Sequence, residues 1–110
     1  MYDPRIWHSR GYLPHIDAGE MVQFITFRLG DSMPQNVLAS WRDDLRSNRI
    51  TDADLRRRIE TYLDQNYGSG ALRNRAIAIV IQDTLLKWDG KRYRLIAWVI
   101  MPNHVHILIQ

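Results

Sequence analysis

Apolar residues change their spacing several times along the 110-residue chain, and each change marks an element. From Met21 the run MVQFITFRL is rich in β-branched and aromatic residues, Val22, Phe24 and Thr26 alternating with Gln23, Ile25, Phe27 and Leu29. Apolar side chains on both faces predict a central rather than an edge strand. GDSMP then supplies a turn, with Asp31 or Ser32 as the candidate N-cap and Pro34 tolerated in the first helical turn. Val37, Leu38, Trp41 and Leu45 follow at helical spacing, which predicts a first helix over about 34–48.

TDAD at 51–54 has the form of a capping box, and Leu55, Ile59, Tyr62 and Leu63 make the apolar stripe of a second helix running to about Asn66. Its other side carries Arg56, Arg57 and Arg58, a solvated face or a DNA-facing patch. YGSG ends it, Gly68 and Gly70 suiting a left-handed C-cap and a turn. ALRNRAIAIVIQDTLLKW is ambiguous: Ile77, Ile79 and Ile81 alternate like a strand, whereas Leu72, Ala76, Val80, Thr84 and Trp88 repeat like a helix. Eighteen residues without a breaker favour a third helix. WDGK is a turn opening a strand in RYRLIAWVIM, and a last strand runs from about His104 to the end. Pro102 cannot donate to a ladder and marks the break between the two. Residues 1–20 show no sustained period and read as an extended arm. The order β-α-α-α-β-β predicts one α+β domain, its helices packed on one face of a largely antiparallel sheet.

Composition narrows the function classes. A 13.0 kDa chain fits one core. Without cysteine there is no disulfide framework, thiolate nucleophile or zinc knuckle. The start shows no signal-peptide pattern and no stretch suits a membrane span, so a cytoplasmic protein with no membrane partner is expected. The net charge of +3 rests on thirteen arginines and two lysines, and the guanidinium fork suits phosphate oxygens. Arg5, Arg10 and His15 in the arm, where Trp7 and Tyr12 could stack on bases, and Arg28 on the first strand are the candidate DNA contacts.

The chemistry concentrates in MPNHVHILIQ, residues 101–110. On a strand, His104 and His106 share one face while Val105, Ile107 and Ile109 share the other. Two imidazoles whose α-carbons lie about 6.5 Å apart can bridge one divalent ion. A pair of polar rings on a half-exposed strand is the plainer alternative.

YRLIAWVIMPNHVHILI resembles the signature of the HUH-type tyrosine transposases of the IS200-like class, in particular the REP-associated tyrosine transposases. The similarity extends through LPHID, QFITFRLGDSMP and YGSGALRN, covering nearly the whole chain. The resemblance implies a ferredoxin-like core, His104 and His106 as metal ligands, Mg2+ or Mn2+ as the ion, and single-stranded DNA hairpins as substrate. It further implies cleavage and rejoining through a 5′-phosphotyrosine intermediate. In this family the nucleophilic tyrosine lies well downstream of the histidine pair, on a helix that carries a further polar ligand. Tyr2, Tyr12, Tyr62, Tyr67 and Tyr93 all precede His104, and none matches that position. The 110 residues are therefore expected to be an incomplete HUH domain, with the tyrosine beyond Gln110. Ending on HILIQ, the sheet is expected to expose an edge and to invite domain swapping or self-association.

Two other classes compete. A non-catalytic module binding single-stranded nucleic acid would carry the histidine pair as a vestige. A cupin-like metalloenzyme also uses an H-x-H strand, but needs many strands where this chain has three helical stripes.

Overall fold

The computed structural model describes residues 6–11 and 21–110. Its elements are β1 (His8–Ser9), β2 (Gln23–Arg28), α1 (Gln35–Arg46), α2 (Asp52–Leu63), a 3-10 turn (Ala71–Arg73), α3 (Arg75–Lys87), β3 (Leu95–Ile100) and β4 (His104–Ile109). The four strands form one antiparallel sheet in the order β1-β3-β4-β2, so the chain is α+β with the predicted succession of elements. The addition is β1, two residues of the N-terminal arm paired with Trp98 and Ala97.

Local chemistry accounts for the helix limits. Thr51 accepts from the Asp54 amide while the Asp54 carboxylate accepts from the Thr51 amide, the reciprocal box that TDAD predicts. The ambiguous segment is helical but shorter than its periodicity suggests. Asn74 interrupts it, accepting with Oδ1 from the amides of Ala76 and Ile77 and so starting α3 at Arg75. Neither Asp31 nor Ser32 caps α1. Pro34 occupies the N-cap with no side-chain hydrogen bond, the Ser32 hydroxyl donates to the Leu29 carbonyl, and Asp31 turns away to accept from the Ser69 amide.

Three expectations about the sheet are corrected. Among the described residues β2 pairs only with β4 and is an edge strand. Phe24 on the histidine face and Phe27 on the opposite face each keep more than half their surface open, so the two-sided apolar pattern here does not mark burial on both sides. The strand ending in HILIQ is interior, flanked by β3 and β2, because His104–Ile109 bonds on both sides; among the described residues the edges are β1 and β2. The helices also divide between the faces. Ala78 of α3 packs with Trp98, Ile100, Val105 and Ile107, and Trp98 Nε1 donates to Gln82 at 3.1 Å. The other face, which carries His104 and His106, meets α2, tied to α1 by Trp41 against Tyr62 and by an Arg58–Asp44 ion pair of 3.2 Å.

This division has a simple cause in the alternation of β4. Val105 and Ile107, each 3% exposed, give α3 an apolar face to cover, and the histidines give the opposite face to a helix bearing carboxylates.

Candidate functional site

β3 and β4 are joined at Pro102 and Asn103, the Met101 amide donating to the His104 carbonyl at 2.8 Å. Pro102 sits where no ladder donor is needed, as its sequence position predicts. Neighbouring segments clamp the tip: the Leu29 amide donates to the Asn103 carbonyl and the Leu72 amide to the Pro102 carbonyl. Asn103 is fully buried and its side chain spans two neighbours. Nδ2 donates to the Tyr67 carbonyl at 3.2 Å, which leaves Oδ1 as an acceptor 2.7 Å from His104 Nδ1.

That contact decides the tautomer of His104. A carboxamide oxygen can only accept, so Nδ1 carries the proton and Nε2 carries a lone pair. Nε2 is buried and has no hydrogen-bond partner among the described residues. Burial above all, with His106 nearby, pulls the His104 pKa down to about 4 against the weaker opposing pull of Asp64, so the ring is neutral at physiological pH. A buried imidazole with a fixed, unused lone pair is prepared to bind a cation.

His106 lies beside it, the two rings edge to face with centroids 4.7 Å apart. Its Nδ1 is 2.9 Å from the Thr26 hydroxyl on β2, and its Nε2 is 2.8 Å from Glu60 Oε1 on α2. One ligand atom from each of Glu60, His104 and His106 lies within 4.8 Å of the others, so the three could hold a metal ion. Donors about 2.0–2.2 Å from one ion stand no more than about 4.4 Å apart, so closure requires only a small side-chain adjustment. Asp64, one turn beyond Glu60, places Oδ1 3.9 Å from His104 Nε2, too far for a hydrogen bond but near enough to bias a cation.

Aromatic rings border the pair. Phe24 stacks on His106 at 5.2 Å, and Trp7 lies 6.1 Å from His106 and 6.2 Å from Phe24. Both aromatic side chains are about half exposed.

Gly68 has φ near +89°, and a Cβ there would come within 2.4 Å of the Asp31 carbonyl oxygen. Glycine thus allows the 67–69 turn to lie against Asp31, whose carboxyl is held below its usual range by the Ser69 amide. The same turn presents the Tyr67 carbonyl to Asn103.

The remaining sequence-predicted site residues separate. Arg5 and His15 lie outside the described residues. Arg10 is held at the far edge of the sheet, its Nε 3.2 Å from Asp89 and its amide donating to the Ile96 carbonyl. Arg28 stands opposite His104 in the β2–β4 register and is half-buried. Of the predicted arginine face on α2, Arg57 pairs with Asp54 and Arg58 with Asp44. Tyr62 packs against Trp41 and Tyr67, and Tyr93 donates to the Leu85 carbonyl.

Sequence reasoning missed Glu60. Its signal was present: Arg56, Glu60 and Asp64 recur every four residues along the border of the stripe formed by Leu55, Ile59 and Leu63, where a polar row meets the sheet.

No family model matches the chain, and neither a curated protein nor a solved structure matches it.

Proposed function

We propose that the chain is the metal-binding part of a transposase-type domain that recognises single-stranded DNA hairpins and supports cleavage and rejoining of their phosphodiester backbone. The observation that carries this reading is the meeting of Glu60, His104 and His106 around a buried imidazole lone pair with no other partner. The resemblance of the AWVIMPNHVH string gives that centre its substrate class.

Donor chemistry narrows the ion. One carboxylate and two neutral imidazoles suit Mn2+ better than Mg2+, which prefers all-oxygen surroundings. A bound divalent ion would supply charge neutralisation at a non-bridging oxygen of the scissile phosphate and fix its orientation. The protein's own residues prepare the site. Asn103 holds the His104 tautomer, Thr26 fixes the His106 ring, and Glu60 brings the negative charge that makes the pair selective for a cation. The attacking phenolate belongs, in this reading, to a tyrosine outside these 110 residues, which takes the 5′ phosphate while the 3′ oxygen leaves.

The test uses a radiolabelled DNA hairpin with the 110-residue protein, in Mn2+ and in EDTA. Mn2+ is expected to strengthen retention on a native gel, and a denaturing gel is expected to show no protein-linked label. Binding that is indifferent to Mn2+ and to the pair of changes His104→Ala and His106→Ala would favour the non-catalytic binding module. A protein-linked band would place the nucleophile within this chain and overturn that part of the reading.

A further inference from the structure

Beside the metal cluster, between the β2 edge and the helical pair, lies a cleft of about 510 Å3. Phe24, Thr26 and Arg28 form its floor on β2, and Arg42 of α1 and Arg56 of α2 stand on its walls. Glu60 belongs to both the cleft and the metal cluster, and Thr26 on the cleft floor bonds His106. We propose that this cleft holds a single-stranded DNA segment, with backbone phosphates on Arg28, Arg42 and Arg56 and a base on the Phe24–Trp7 platform, and so delivers the adjoining phosphodiester to the metal site. The proposal rests on the functional reading above and locates the substrate on the protein.

Charge is the first support. On the same two helices and the turn between them, Arg46, Arg49, Arg57 and Arg58 are ion-paired with Asp43, Asp44 or Asp54. Arg28, Arg42 and Arg56 have no carboxylate partner among the described residues. The single acid on the cleft wall is Glu60, which His106 engages. Three guanidinium forks around one opening fit the oxygens of successive phosphates, and they would repel cationic ligands.

Shape is the second support. Leu38 and Ile59 make the depth of the cleft apolar, while Phe24 is exposed at its rim and is continuous through His106 with Trp7. Phosphate forks beside an exposed aromatic face are the two elements of single-strand binding, since every base offers a π-face and the backbone offers charge. A duplex would not present its bases to such a platform. A small phosphorylated metabolite would leave the Phe24–Trp7 surface uncovered.

The test reads fluorescence anisotropy of a fluorescein-labelled ten-residue oligothymidylate in EDTA, so that metal plays no part. Arg42→Ala with Arg56→Ala is compared with Arg73→Ala with Arg75→Ala, an equal loss of charge at the 3-10 turn and the start of α3. The cleft pair is expected to weaken binding about tenfold or more and to lower the salt slope by about 1.4, roughly 0.7 for each of two phosphate contacts, while the control pair changes little. Equal losses in both pairs, or none in the cleft pair, would overturn the proposal. So would equal competition by a polyglutamate peptide, or a preference for oligouridylate over oligothymidylate. Circular dichroism of both variants controls for folding. Mn2+ affinity is expected to survive the cleft changes, so the cleft and the metal centre can fail separately.

Discussion

The residue that organises the centre is Asn103, not either histidine. Its amide is read by two neighbours at once: Tyr67 takes the hydrogen and His104 gives one. The order cannot be reversed, because a backbone carbonyl has nothing to donate. Asn103→Ala is therefore expected to strand the Tyr67 carbonyl and to free the His104 ring to change tautomer. A supporting contact of this kind alters metal affinity by about 10- to 100-fold, so a Mn2+ titration of the variant should show a loss in that range. The accompanying destabilisation, about 1–3 kcal/mol for a buried group left unsatisfied, should appear in urea unfolding. Unchanged Mn2+ affinity would mean that the tautomer is held by something else.

At the scale of elements, the patterns that proved legible were those carried by local chemistry. The Thr51 box, the Pro102 break and the helical stripes of α1 and α2 are short-range features, and each forms where its residues predict. What the chain alone could not show is which strand lies beside which. The run 21–29 is apolar on both sides, a pattern shared by a central strand and by an edge strand with exposed apolar residues; β2 pairs only with β4 among the described residues and leaves Phe24 open. HILIQ ends the chain without ending the sheet, because spatial order differs from sequence order and β4 pairs with both β3 and β2. The candidate site was half legible. His104 and His106 announce themselves at a spacing of two on one strand, but Glu60 comes from a helix more than forty residues earlier, and only the packing of α2 on the histidine face brings it within reach. The arm gives no hint that Arg10, a candidate DNA contact, is engaged by Asp89 in the turn before β3 at the far edge of the sheet.

For the whole molecule, the buried neutral histidine couples folding to pH. The His104 pKa is about 4 in the folded chain against an ordinary 6.5, so the unfolded chain binds the extra proton between these values. The stability this contributes is fully present above the ordinary value of 6.5 and is lost as pH falls through about 4. Urea midpoints taken in EDTA should hold steady above neutrality and fall on acidification. His104→Asn, which removes the titrating ring, should show a shallower fall; an equally steep one would mean that other groups set the acid limit.

The histidine face stays close to the surface through the partly open Glu60 and Asp64. Accessibility from that side is what a cation and a phosphate both need. The most direct measurement is a Mn2+ titration of the protein followed by electron paramagnetic resonance, which distinguishes free from bound ion. One ion per chain is expected, lost on His104→Ala, His106→Ala or Glu60→Gln and retained on Arg75→Ala. No saturable binding, or binding that survives all three ligand changes, would contradict a metal centre at Glu60, His104 and His106.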